Sequence, residues 1–145
     1  MTTNASLGYS SSFSIQAENS PDNMVDIAEV TNITPPSFSL DQIDVTHMAS
    51  PNGTREFIPG LIDPGEASLD INFVPGNASD LRIQELLNLT GSAVRSRQMR
   101  ITFPNHVTWT FQGVVTGYEP TVPVDDKMAA TITIKVTGQI STGTT

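Results

Sequence analysis

Residues 129–140, AATITIKVTGQI, alternate apolar and polar side chains over almost their whole length. Ala130, Ile132, Ile134, Val136 and Ile140 fall on one face, and Thr131, Thr133, Lys135, Thr137 and Gln139 on the other. A period of two is the spacing of a β-strand, and a strand with one apolar face must bury it against a second layer. This segment alone rules out an all-helical fold.

The same period supplies its partners. Residues 107–118, VTWTFQGVVTGY, put Val107, Trp109, Phe111 and Val115 on a common face, with Gly113 and Gly117 as bulges or points of close approach. Residues 98–103 align Met99, Ile101 and Phe103, and FPNHV, with Pro104 and Asn105, turns that strand back into the next. Residues 66–74 direct Ala67, Leu69, Ile71 and Phe73 inward and Ser68, Asp70 and Asn72 outward. Residues 37–46 begin with Phe38 and Leu40 on one face and continue with Ile43 and Val45 on the other, so a bulge is expected at Asp41–Gln42. Weaker strands are expected at 11–17 and 24–31. One helix is predicted over about residues 78–91, ASDLRIQELLNLTG, carrying Leu81, Leu86, Leu87 and Leu89, capped by Asn77 or Ser79 and ended by Gly91. The tail STGTT is expected to fray.

The predicted fold is therefore mainly β: an antiparallel β-sandwich or open barrel with one flanking α-helix and a long loop at about residues 46–66. At 145 residues the chain fits a single domain, 1–145. It has no cysteine, which excludes a disulfide scaffold and a thiol nucleophile. No segment approaches the roughly 20 apolar residues of a membrane span. The opening MTTNASLGYSSSFSIQ lacks the basic and apolar regions of a secretory signal, so folding in the cytoplasm is expected.

The formal net charge is −8 and unevenly spread: residues 1–70 hold ten acids and one base, Arg55, whereas residues 71–145 hold five acids and six bases. A surface this acidic does not bind nucleic acid through its bulk. The asymmetry follows from chance and solubility, or it suits head-to-tail contact between copies.

Catalytic chemistry finds no foothold. His47 and His106 lack metal-ligand spacing, DPGE at 63–66 reads as a turn, and Asp125–Asp126–Lys127 as a solvated hairpin tip. No catalytic residue, bound metal or cofactor is expected. Arg95, Arg97 and Arg100 form a basic cluster, either a solvated surface or an intersubunit partner for the acidic half.

The loop THMASPNGTREFIPGLIDPGE carries Met48, Phe57, Ile58, Leu61 and Ile62 among prolines and glycines. That is a poor composition for an idle surface connection. The run Thr46-His47-Met48 with Arg55-Glu56-Phe57-Ile58-Pro59-Gly60-Leu61-Ile62-Asp63-Pro64-Gly65-Glu66, followed by ASLDINFVPG, resembles the signature region of tail tube (major tail) proteins of lambda-like phages with long non-contractile tails. The resemblance covers most of the chain, without lambda's appended C-terminal immunoglobulin-like domain.

The resemblance implies a structural, non-enzymatic virion protein. Its copies assemble into rings, usually hexameric, that stack head to tail into a hollow tube through which DNA is ejected. It implies tape-measure, tail-tip and tail-terminator proteins as further partners, and location in the virion tail after synthesis in the host cytoplasm. The loop residues His47, Met48, Arg55, Glu56, Phe57, Ile58, Leu61, Ile62, Asp63 and Glu66 are then the candidates for ring stacking. Phe57, Ile58 and Leu61 would be apolar anchors, and Arg55 and Glu56 would set register. The loop is expected to be mobile in the free subunit. Asp26, Glu29, Asp41 and Asp44 are candidates for an acidic lumen that lets a polyanion slide. The alternatives are the tube protein of a related injection system or gene-transfer particle, and a β-sandwich binding module.

Overall fold

The structure is a computed structural model and describes residues 3, 7–16, 24–88 and 96–144. Nine strands and one helix lie among them: β1 (Ser12–Gln16), β2 (Met24–Asp26), β3 (Val30–Thr34), β4 (Ser39–Asp44), β5 (Phe57–Asp63), β6 (Glu66–Asn72), α1 (Ala78–Leu87), β7 (Arg97–Thr102), β8 (Val107–Thr121) and β9 (Ala129–Thr144). Seven strands form one antiparallel sheet in the order β2-β1-β7-β8-β9-β6-β3, and β4 and β5 pair separately.

The two long strands determine the architecture. The first half of β8 pairs with β7, from Thr102↔Thr108 to Arg97↔Gly113, and the first half of β9 pairs with β6, from Asn72↔Ala129 to Glu66↔Lys135. Register shifts at Thr110/Gln112 and Val115/Gly117 bend the β8–β9 ribbon between these halves. The sheet folds there into two leaves, β2-β1-β7-β8 and β8-β9-β6-β3. Gly113 sits at the fold because no side chain fits: a Cβ there would lie 2.7 Å from Ile134 Cγ2 and 3.1 Å from Met99 Sδ.

The leaves face each other across one core. Phe13, Ile15, Met99, Ile101 and Phe111 come from the first leaf, and Ala67, Leu69, Ile71, Ala130, Ile132 and Ile134 from the second. Residues 24–34 cross from leaf to leaf. Ile27 N–H donates to Phe13 O at 2.9 Å, and two residues later Glu29 O accepts from Asn72 N–H at 2.9 Å. The arrangement is a sandwich rather than a closed barrel.

Helix α1 is capped by Asn77, whose Oδ1 accepts the Asp80 N–H at 2.8 Å. It buries Ile83 and Leu86 in the core. Leu81, read as one of its apolar positions, instead points to solvent at 58% exposure. Asp80, nearly buried, ties the helix to the body by accepting from Gly76 N–H at 2.9 Å, Gln84 Nε2 at 3.0 Å and Tyr118 Oη at 2.8 Å. The predicted stop at Gly91 lies outside the described residues. No described helix is long and apolar enough to cross a membrane.

The tail corrects one expectation. β9 continues to Thr144, paired with Val107, so STGT is strand and does not fray. The turn at His106 is as read, with a positive φ of 66° and its N–H on Phe103 O at 3.0 Å.

Candidate functional site

The stretch read as a mobile loop is built as an arm. β4 and β5 form a two-stranded ribbon, with Asp44↔Phe57, Ile43↔Ile58, Gln42↔Pro59, Leu40↔Ile62 and Ser39↔Asp63 opposed. The bulge expected at Asp41–Gln42 is present as a register shift between Leu40 and Gln42, and on β5 it leaves Leu61 out of the ladder and 84% exposed. The arm was illegible because Pro59 and Gly60 look like loop punctuation. Pro59 lacks a donor, which an edge strand tolerates. Gly60 is needed because a Cβ there would stand 3.1 Å from Asp41 Cβ.

Side chains tie the arm's apex together. Val45 N–H donates to Glu56 O at 2.9 Å, and Glu56 N–H donates to Thr46 Oγ1 at 2.8 Å. Ser50 Oγ donates to Glu56 Oε2 at 2.7 Å, and His47 Nδ1 lies 3.3 Å from the same oxygen. A 3-10 turn, Pro51–Gly53, closes the tip with Asn52 and Gly53 at positive φ. Arg55 reaches Asp44 at 3.9 Å. Arg55 and Glu56, read as register-setting charges between copies, are thus engaged within their own arm.

The root is fastened by an aromatic contact, an ion pair and one backbone hydrogen bond, from Val136 N–H to Gly65 O at 3.1 Å. Phe38 packs on Trp109 with ring centroids 6.4 Å apart, and Trp109 packs edge-on against Phe103 at 5.5 Å. Asp63 lies 3.6 Å from Lys135 Nζ of β9. Its carboxyl is held below the usual carboxylate range by the Gly65 backbone N–H and by the Lys135 charge. Gly65, at φ +75°, lets the return leg pass Ser37, whose carbonyl oxygen would be 2.1 Å from any Cβ. Glu66 begins β6 opposite Lys135. Beyond the root the arm's apolar residues stay open: Met48, Phe57, Ile58, Leu61 and Ile62 are all about half exposed or more.

The other sequence-derived candidates do not assemble into one place. Asp26 on β2 accepts the Ser14 hydroxyl, Glu29 at the leaf crossing accepts Asn72 Nδ2 at 2.9 Å, and Asp41 and Asp44 ride on the arm. The arginines separate as well. Arg97 shares the inner face of β7 with Met99 and Ile101 and is buried, Arg100 lies on the outer face, and Arg95 falls outside the described residues. Strand alternation alone sends Arg97 and Arg100 to opposite sides.

A polar sheet face emerges that the candidate acids did not mark. On the outer side of the second leaf, Thr34, Ser68 and Thr133 form one row, and Asn32, Asp70, Thr131 and Glu119 the next. Asp70 accepts from Thr131 Oγ1 at 2.9 Å and from Asn32 Nδ2 at 3.3 Å. The cation at the edge of these rows, Lys135, is the one engaged by Asp63.

A family model described as lambda phage tail tube protein, TTP, matches residues 8–143. The chain belongs to this family. No curated protein matches it in sequence. Among solved structures it is similar to the tail of an empty gene transfer agent (GTA) particle refined with C6 symmetry, at TM-score 0.75 and 16% identity over 94% of this chain and 98% of that one. It is similar to a chain of the six-fold symmetrised anti-feeding prophage baseplate, at TM-score 0.75 and 14% identity over 99% and 98%. The SPP1 tail tube follows at TM-score 0.66 and 11% identity over 93% and 77%. Identities this low bear on the fold. The tail tube family is the one that the loop and the strand after it resemble.

Proposed function

We propose that this protein is the repeating subunit of a tail tube, with a structural rather than catalytic role. Its copies close into rings, six to a ring as in the similar C6 particle, and the rings stack head to tail into a hollow tube of the virion tail. DNA leaves through that tube. Tape-measure, tail-tip and terminator proteins set its length and ends.

The arm carries this reading. A head-to-tail contact that does not close on itself needs a projecting element at one end of the subunit and a seat at the other. The arm projects, is apolar, and owes the body little beyond its root. Phe57, Ile58 and Leu61 are the anchors, with Met48 at the apex. The outer face of the second leaf supports the passage of DNA. Its Ser, Thr, Asn, Asp and Glu side chains offer a sliding polyanion no counterion-releasing contact. Asp70 and Glu119 join Glu29 as lumen candidates, while Asp41 and Asp44 serve the arm.

The test is negative-stain microscopy of concentrated protein, with tail-tip components supplied as nuclei. Rings or tubes with an open channel are expected. A monodisperse monomer under all these conditions would overturn the reading. A second reading, the inner tube of a contractile injection system, is favoured by the similarity, at TM-score 0.73, to a sheath/tube terminator chain of an extracellular contractile injection system. A sheath around the tube in the native particle would select it.

A further inference from the structure

The arm is apolar on both sides. Opposed residues of an antiparallel ladder project to the same face, and successive residues alternate. Asp44↔Phe57, Gln42↔Pro59 and Leu40↔Ile62 therefore place Leu40, Phe57, Pro59 and Ile62 on one face. Ile43↔Ile58 occupies the other, together with Asp41, whose Cβ would be 3.1 Å from a Cβ on Gly60. Large apolar side chains on both faces remain open, from 47% exposure at Ile58 to 66% at Ile62. A hairpin that lies on a single surface needs apolar residues on one face only. A free two-stranded ribbon is marginal in water.

Area points the same way. Seven residues of β5 make a ribbon about 23 Å long and about 10 Å wide, so each face offers roughly 230 Å². A stable protein contact takes about 800 Å² from each partner. One face on one copy would supply about a quarter of that and leave the other apolar face wet. Charge adds a constraint on the seat. Arg55, Glu56 and Asp63 are engaged by Asp44, Ser50 with His47, and Lys135, so the walls that receive the arm need be apolar rather than charged.

Such walls exist at the far end of the same leaf. The arm leaves beside Thr34 and Glu66. One strand length away, past Asn72 and Thr121, Val74, Leu81, Val122 and Val124 are exposed by 45%, 58%, 69% and 105%. Phe73 N–H on Met128 O at 3.0 Å holds the 73–74 turn against the β8–β9 tip.

We propose that each arm is a wedge that enters the seam between two copies of this chain in the neighbouring ring. The Leu40–Phe57–Ile62 face rests on one copy and the Ile43–Ile58 face on the other. The proposal rests on the ring-stacking reading and adds to it a three-body joint. A lone copy offers half a seat, whereas a closed ring offers whole ones. Stacking is thereby coupled to ring closure, and free subunits resist uncontrolled polymerisation.

The chain has no cysteine, so labels can be placed without background. Gln42→Cys and Asp41→Cys mark opposite faces without removing an apolar anchor. The double variant, carrying a short thiol-attached photocrosslinker at both sites, is assembled as a small minority among unlabelled wild-type copies and irradiated in tubes. The wedge gives trimers on a denaturing gel, one labelled chain joined to two wild-type chains. The two single-label variants give dimers through different wild-type peptides. Dimers alone from the double variant, with both labels on the same wild-type peptides, overturn the wedge and leave ring stacking intact. Tubes whose crosslinks stay within the labelled chain overturn both the wedge and the arm's part in stacking, and leave the tube itself standing. Ser39→Cys replaces Asp41→Cys on the same face if the first double variant does not enter tubes.

Discussion

The substitution Gly65→Ala separates folding from assembly. Gly65 has φ +75°, and an added Cβ would sit 2.1 Å from Ser37 O, where ordinary contact begins at 3.4 Å. Left-handed backbone costs a non-glycine residue about 1–2 kcal/mol. The clash adds a displacement, because the obstacle is backbone and cannot swing aside. The two legs of the root, about 5 Å apart, must spread by roughly 1 Å. Over a ribbon about 23 Å long, that rotates the tip by roughly 5 Å, a whole strand spacing. Gly65 meets the body through one backbone hydrogen bond, its carbonyl accepting the Val136 N–H at 3.1 Å, so the free subunit should keep its fold and lose roughly 2–8 °C in melting temperature at about 2–4 °C per kcal/mol.

Tubes should be lost. The control for the backbone strain is Gly76→Ala, which shares the positive φ, at +81°, but meets nothing within 4 Å. It should show a similar loss in melting temperature in the free subunit. The assay pairs circular dichroism melting of free subunits with tube counts by electron microscopy. If Gly65→Ala forms tubes as readily as the wild type, arm aim does not govern stacking and the reasoning fails.

Phe57→Ala and Leu61→Ala should melt like the wild type and abolish or shorten tubes, whereas Ile134→Ala, fully buried, should lose about 2–5 kcal/mol of subunit stability. Equal destabilisation in all three would mean that the arm is core. Gly113→Ala should cost about 1–3 kcal/mol by overpacking against Ile134 and Met99, with tubes still forming at low temperature; an unchanged melting curve would refute the close approach. Asp80 accepts hydrogen bonds first from Gly76 N–H, then from Gln84 and Tyr118, which hold its carboxyl below the usual aspartate range. A depressed folded-state value contributes stability above the ordinary aspartate pKa of about 3.9 and loses it as the pH falls below that toward the folded value. The melting temperature should therefore fall as the pH is lowered below about 4, less steeply in Asp80→Asn. An identical slope in the variant would count against the network.

Local alternation wrote most of the body into the sequence. AATITIKVTGQI and VTWTFQGVVTGY read as one-faced strands because burial on one side imposes a period of two, and the phase change at Asp41–Gln42 marked a real bulge. The Asn77 cap was legible for the same reason, since a cap is a contact over three residues. What the sequence could not determine depends on which segments meet. Pro59 and Gly60 disguised a strand whose existence rests on pairing with β4 and on Asp41 filling the space above Gly60. The arginine cluster dissolved because adjacency in sequence says nothing once alternation sends Arg97 inward and Arg100 outward. The Ser/Thr/Asp rows of the second leaf draw on β3, β6, β8 and β9, which no local pattern aligns. The tail STGT had no composition that marks a strand, and long-range pairing with Val107–Thr110 ordered it. Periodicity is a property of one segment in a field of burial, whereas a face, an arm or a seat is a property of several segments brought together, and only the tertiary structure specifies that.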